Sequence, residues 1–459
     1  MEEVVPAAAR TISSLRDIGY EMPQAVADLV DNSISAGAKS VSIDLHFEGT
    51  DSWVRIADDG FGMDAATLTE ALRYGSKREY SDEDLGKFGF GLKAASTSQC
   101  RRVVVASRIA LQRARIEARA LDLDHIEQTD RWEILIVDPV NRPDYLVEPL
   151  QTTTGTVVLW EDLDRVLDYK DPWGGWARRR LLDRADAIAE HLGMVFHRFL
   201  AGEVAGHKLQ IRINGSNVEP WDPFCRSEQA TTALPEHDIP VASENGVGIV
   251  RVRPYVLPDK AYFSDTAAWQ RASGALKWNR QQGFYIYRAN RLVQWGGWSR
   301  IRTIDEHSKL ARVSIDFSPN LDAVFSINIS KAIVKLPADL REGIDDVVNQ
   351  VVRIASQRYR KGGDGKSSTP RQPSASPGSP TVDPPASIPP VNSGHTTTGI
   401  QSGASVGESH NNKMKPPVER SKRHAIEAAA RAAGELDALG RIVASLRHTA
   451  PEVARDLGW

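Results

Sequence analysis

Asp28 and Asn32 stand four residues apart in the run Ala27-Asp28-Leu29-Val30-Asp31-Asn32-Ser33. Around them Ala25, Val26, Leu29, Val30 and Ile34 recur at helical spacing, so both polar side chains leave one helix face. A carboxylate beside an amide oxygen suits a hard cation and a nearby water, and Mg2+ completes such a shell with substrate phosphates. A second stretch, Asp58-Asp59-Gly60-Phe61-Gly62-Met63, follows the strand pattern of residues 52–57. Asp58 is an acceptor for an amino group such as that of adenine, and the glycines let the backbone turn tightly against a flat ligand. A third stretch, Gly86-Lys87-Phe88-Gly89-Phe90-Gly91-Leu92-Lys93, is a glycine loop running into a helix pattern. Its backbone N–H groups and helix start favour anions, and Lys87 and Lys93 add positive charge. It is not a Walker loop, because Gly-Lys-Ser/Thr never follows at the required spacing. Taken alone, a glycine loop is usually just a turn.

In order and spacing the three stretches resemble the GHKL ATPases: gyrase B, heat-shock chaperone, histidine kinase and MutL. Within that superfamily, Asp28-Leu29-Val30-Asp31-Asn32-Ser33 and the later Gly283-Phe284-Tyr285-Ile286-Tyr287-Arg288-Ala289-Asn290-Arg291 look most like bacterial microrchidia-type (MORC) ATPases. The motifs span residues 10–340. The resemblance implies ATP and Mg2+ as ligands, with Asn32 on the metal and Asp58 on adenine beside Gly60, Gly62 and Met63. Gly86, Lys87, Phe88, Gly89, Gly91, Leu92 and Lys93 would face the phosphates, and Asp28 would orient or deprotonate the attacking water. Ser76 and Lys77 sit in a polar, glycine-bounded segment, residues 75–88, that matches a lid closing over ATP. Thr156, in Gly155-Thr156-Val157-Val158-Leu159-Trp160, matches the fourth motif, where a threonine hydroxyl serves the adenine side; it also reads as an ordinary strand residue. Lys331 matches a lysine that reaches the γ-phosphate from a following domain, and equally reads as a surface lysine. The superfamily usually has glutamate where this chain has Asp28. A reach changed by about an ångström can cost about a hundredfold in rate, so binding with slow hydrolysis is expected.

The elements that must carry these groups are legible in outline. Residues 5–20 hold a short helix pattern, which in GHKL dimers often straps across the partner. Residues 39–57 alternate as a hairpin around Glu48-Gly49-Thr50-Asp51, and a helix capped by Asp64 follows to Tyr74. Strand-like runs at 103–105, 115–120, 132–137 and 155–160 complete an α/β ATP-binding domain of the Bergerat type, residues 1–175. A long amphipathic helix over 175–203 opens a smaller α/β transducer-like domain, residues 176–360, with strand patterns at 209–213, 248–252, 283–288 and 323–329. Asn214-Gly215 marks a hairpin turn. Residues 361–417 turn abruptly to Pro, Ser, Gly and Thr and read as a disordered linker. Residues 418–459 hold a C-terminal amphipathic helix with an apolar seam suited to a protein partner.

A net charge of −3 demands neither nucleic acid nor an anionic membrane. Cys100 and Cys225 alone exclude a disulfide framework and a cysteine-rich zinc site. The start of the chain has no signal pattern and no apolar run approaches a membrane span, so a cytoplasmic location is expected. Arg288, Arg291, Trp295, Trp298, Arg300 and Arg302 either bind nucleic acid, by charge and stacking, or pack on a sheet against acids. Arg101-Arg102 and Arg178-Arg179-Arg180 are equally ambiguous. The leading expectation is an ATP-gated homodimer that hydrolyses ATP slowly in DNA transactions or phage defence. A heat-shock-type chaperone lacks its large client-binding region here. A histidine kinase would need a phospho-acceptor helix before the ATP domain. A non-hydrolysing ATP sensor acting on a partner through the C-terminal helix stays open.

Overall fold

The computed structural model describes residues 6–17, 19–74, 91–110, 115–169, 171–244, 246–326, 334–364 and 443. Alternating Val41, Ile43, Val54 and Ile56 drive strands β1 (Ser40–His46) and β2 (Trp53–Asp58) into an antiparallel pair, with Val41 opposite Asp58. They join β3 (Arg102–Arg108), β4 (Glu117–Asp122), β5 (Leu135–Ile136), β6 (Gly155–Glu161), β7 (Gln210–Ile213) and β8 (Ser216–Asn217). The sheet order is β5-β4-β3-β6-β2-β1-β7-β8, and only β1 and β7 run parallel. Because side chains alternate across a strand, Val103, Val105, Val158 and Trp160 meet helices on one face, while Val104, Ala106, Val157 and Leu159 meet Leu146 and Leu150 on the other.

Helices α1 (Ala8–Arg16), α2 (Met22–Ser35), α3 (Ala65–Leu72) and α4 (Gly91–Thr97) belong to the same half of the chain as the first sheet. Helix α2 starts with Pro23 in its first turn, where a missing N–H costs nothing. It packs against α4 and against the helix Gly175–Val195, and its buried residues include Ala25, Val26, Leu29 and Val30. Asp64 caps α3 by accepting from the Thr67 N–H at 2.8 Å.

A second sheet holds β9 (Thr232–Ala233), β10 (His237–Ser243), β11 (Gly246–Val256), β12 (Gly283–Arg288), β13 (Arg291–Trp295) and β14 (Ala311–Phe317). Its order is β10-β11-β14-β12-β13, with β9 beside β11 and one parallel pairing, β12 with β14. The helix Ala338–Asp364 lies against β10, β11 and β14 and buries Leu340, Ile344, Val347, Val348, Val351, Val352 and Ala355 at three- and four-residue steps. The fold is therefore mixed α/β with antiparallel-rich sheets. Both sheets belong to the contact unit Met1–Gln372, and of the unit Pro373–Trp459 only Val443 is described. Residues 361–364 of the expected linker continue the helix Ala338–Asp364; the rest of the linker and, Val443 aside, the expected C-terminal helix lie outside the described residues.

Several local expectations change. The run 209–213, read as part of the second domain, pairs with β1 and extends the first sheet. Residues 323–326 form turns rather than the start of a strand. The central strand is β14, where Ala311, Val313, Ile315 and Phe317 alternate with Arg312, Ser314 and Asp316; the Arg312 guanidinium is buried and donates to the carbonyls of Pro223 and, at 2.7 Å, Ala272. Only Leu135–Ile136 pair within the run 132–137. The helix expected over 175–203 ends at Val195, and a short turn, His197–Leu200, follows Phe196.

Gly155 tests how closely β6 approaches β2. Its φ is +136°, and a Cβ there would lie 1.9 Å from the Asp58 carbonyl oxygen. Gly155→Ala should cost about 3 kcal/mol or more, read as a lower denaturant midpoint; an unchanged midpoint would mean the strands separate freely.

Candidate functional site

The end of β2 meets the end of α2 around Asp58. Its Oδ1 accepts from the N–H groups of Gly60 at 2.9 Å and Thr156 at 3.2 Å, and its Oδ2 accepts from the Ser33 hydroxyl at 3.0 Å. Asp58 is half-buried. Burial pushes its carboxyl up to about 6, and the three donors oppose that rise without cancelling it. Neighbouring Asp59 accepts from the N–H groups of Lys39 and Ser40 at 2.7 and 2.8 Å, pinning the end of β2 to the start of β1. Gly62 has φ +69°, and a Cβ there would stand 2.2 Å from the Arg108 carbonyl oxygen. The glycine turn is therefore pressed onto the sheet. The Met63 N–H donates to the Ser107 hydroxyl at 2.8 Å, and that oxygen lies 2.9 Å from the Thr156 hydroxyl. Asp58, Gly60, Gly62, Met63 and Thr156 thus occupy one neighbourhood.

Asp28 is buried just over one turn before Asn32, which is exposed at the C-terminal end of α2. The Tyr20 hydroxyl donates to Asp28 Oδ2 at 2.9 Å. Burial, and next the Asp28 carboxylate, raise the Tyr20 phenol above its ordinary range, so it stays protonated and able to donate. Arg291, from β13, places Nη2 3.6 Å from Asp28 Oδ1 and Nε 2.8 Å from Asp31 Oδ2. His191 is held down at about 4 by burial and by the Arg291 charge, so it is neutral beside this network.

Gly91 opens α4 against Asp28: a Cβ on it would stand 3.6 Å from Asp28 Oδ2. Leu92 follows, half-buried. Lys93 is turned into the protein. Its ammonium donates to the carbonyls of Ala71 at 3.0 Å and Arg73 at 2.7 Å, at the end of α3, and burial lowers it to about 8. Ser76, Lys77, Gly86, Lys87, Phe88, Gly89 and Lys331 lie outside the described residues.

The tryptophan and arginine cluster resolves mainly to packing. Arg288 is buried against Asp322 at 2.7 Å, Arg291 against Asp31, and the Trp298 indole donates to Gln282 at 3.1 Å. Arg300 and Arg302 are exposed. Arg101 pairs with Asp124 and Glu127, and Arg102 with Asp122 and Glu161. Tyr20, Asp31, Ser33, Ser107 and Arg291 were not singled out for this site. Ser33 was within reach of sequence reasoning, being the next residue after Asn32 on the same helix.

Among the described residues no group of three or more His, Cys, Asp or Glu could hold a metal. Asn32, the amide proposed from the sequence as the metal ligand, is exposed four residues on from Asp28 and brings a single protein oxygen. That fits Mg2+, which takes few protein ligands and keeps phosphate and water oxygens. No helix among the described residues is long and apolar enough to cross a membrane.

Comparison with known proteins bears on this region. Residues 20–155 match the family described as histidine kinase-, DNA gyrase B-, and HSP90-like ATPase. The DNA mismatch repair protein MutL of Pseudoalteromonas translucida is 26% identical over 268 residues, 56% of this chain and 39% of that protein. MutL of Shewanella halifaxensis is 35% identical over 125 residues, 26% of this chain and 19% of that protein. MutL of Shewanella piezotolerans is 34% identical over 125 residues, with 20% of its length covered. The chain thus spans two fifths or less of these relatives. The likenesses support a GHKL-type ATP-binding domain, the class with which the first sheet and its helices are consistent.

The raised Asp58 carboxyl has a signed consequence. Folding holds its proton more tightly than the unfolded chain does, so its contribution to stability is full below pH 3.8 and is lost as pH rises through about 6. The difference amounts to at most about 3 kcal/mol. Urea unfolding of wild type and Asp58→Asn at pH 4 and pH 7 should show the variant gaining on wild type at the higher pH. A difference independent of pH would remove the buried-carboxyl account.

Proposed function

We propose that the chain binds Mg-ATP between α2, the Asp58 turn and the start of α4, and hydrolyses it slowly. The observation that carries this reading is the Asp58 carboxylate, held by Gly60, Thr156 and Ser33 at the joint of β2 and α2 within the segment that matches the ATPase family. Above about pH 6 it is an ionised acceptor, suited to the amino group of adenine. Asn32 would hold Mg2+, and bound Mg2+ would neutralise phosphate charge. Asp28 orients the attacking water or takes its proton, with Tyr20 and Arg291 setting its direction. Gly91 lets α4 come close to Asp28, and the segments 75–90 and 327–333 carry the proposed lid, phosphate loop and Lys331.

The finer biology is proposed on the same footing. The Asp28–Ser33 and Gly283–Arg291 runs support a bacterial MORC-like branch. MutL is by name a DNA mismatch repair protein, and the likeness to it supports a role in DNA transactions. We place the nucleotide domain at 1–175 together with β7 and β8 of the first sheet, the transducer-like domain in the rest of 176–360, a linker from the end of the helix Ala338–Asp364 to 417 and a partner-binding helix at 418–459. ATP would drive homodimerisation by ordering the lid, in a cytoplasmic protein.

Calorimetry with ATP and Mg2+ tests the central claim. Wild type should bind; Asp58→Ala should weaken binding about tenfold or more, and wild-type affinity should fall as pH drops below about 6, when Asp58 takes up its proton. Asn32→Ala should remove most of the Mg2+ dependence. No heat with wild type overturns the reading. Phosphate release unchanged in Asp28→Ala would remove Asp28 from the mechanism, whereas binding with no phosphate release from wild type would favour a non-hydrolysing ATP sensor.

A further inference from the structure

Asp28 and Asp31 lie three residues apart, on neighbouring positions of one helix face. Both are buried, and two carboxylates placed so closely repel each other where water cannot screen them. Arg291 lies beside both. Its Nε reaches Asp31 Oδ1 at 2.9 Å and Oδ2 at 2.8 Å, and its Nη2 stands 3.6 Å from Asp28 Oδ1. Arg291 is itself 5% exposed, and its guanidinium carbon lies 5.7 Å from the centre of the Phe196 ring. On the opposite side, the Tyr20 hydroxyl holds Asp28 Oδ2. The two oxygens of Asp28 are therefore approached from two directions, by residues from before α2 and from the second sheet.

We propose that Arg291 is a positioning residue for Asp28. It fixes the plane of the carboxylate that faces the attacking water, and Asp31 sets where the guanidinium sits. Asp31 occupies the Nε edge of the planar fork, so the outer nitrogen is the one presented to Asp28. Without the guanidinium, Asp28 and Asp31 repel each other and Asp28 turns from its place. Without the Asp31 charge, Arg291 shifts wholly onto Asp28 and pulls it from that same place. Because β13 supplies the arginine, the second sheet contributes to the geometry of the hydrolytic centre. The inference rests on the ATPase reading, and its test separates the two.

The test uses the full chain, with calorimetric binding of Mg-ATP and phosphate release at saturating ATP. Arg291→Gln should lower kcat about tenfold to a hundredfold while Kd stays within about threefold. Arg291→Lys should recover part of the loss, since it keeps the charge and loses the fork. Asp31→Asn should lower kcat comparably, and Asp31→Asn combined with Arg291→Lys should be no slower than the slower single variant. Wild-type kcat in the Arg291→Gln and Asp31→Asn variants overturns the proposal. So do losses that multiply in the double variant, or a loss confined to Kd. If Arg291→Gln does not fold, Arg291→Lys is decisive, because the buried charge is retained. If wild type neither binds nor hydrolyses Mg-ATP, the ATPase reading fails and takes the inference with it; active wild type with unaffected variants sinks the inference alone.

Discussion

The architecture around the site turns on burying carboxylates inside helix α2. Asp31 is fully buried and Asp28 nearly so. An ionised carboxylate taken from water costs several kcal/mol unless a partner meets it there. The partners come from distant segments: Arg291 from the second sheet and Tyr20 from the stretch before the helix. Breaking such a pair leaves a buried charge, so the arginine, the tyrosine and the helix are bound to one another energetically. The helix is thereby a joint between the two sheets as well as a wall of the site.

Asp58 illustrates a different balance. Three donors surround its carboxylate, yet burial still outweighs them and raises the group to about 6. The strand end is positioned by its own backbone neighbours, Gly60 and Thr156, and by Ser33 from α2. Glycine at 62 and 155 lets these segments touch at distances no Cβ would allow. A charged acceptor is thus kept in a tight backbone setting, at the cost of a proton equilibrium close to neutral pH.

Much of the local fold was readable. Period-two alternation marked β1 and β2, helical spacing marked α2, and Asp64 announced the start of α3. The Asn214-Gly215 turn was visible because both residues adopt positive φ, +47° and +82°. Sheet membership was harder. β7 carries no mark that sends it to β1 rather than to the second sheet, since hydrogen-bond partners leave no trace in a strand's own pattern. β14 alternates cleanly, yet its polar Arg312 and Ser314 are buried too, Arg312 because carbonyls of Pro223 and Ala272, far away in the chain, receive its guanidinium. Lys93 looked like a phosphate ligand by proximity to glycines, and only the packing of α4 against α3 shows its ammonium on carbonyls.

The amino-acid order alone determined the mixed α/β class, the helix that carries Asp28 and Asn32, and the glycine turn after Asp58, because those follow from periodicity and local backbone freedom. Tertiary structure decided which charges meet. Arg291 is 260 residues from Asp31, and in the sequence the same guanidinium left a nucleic-acid contact open beside the packing that the fold shows. Charge pairing is a property of distance in space and of exclusion from water, and neither is written in the spacing of residues along the chain.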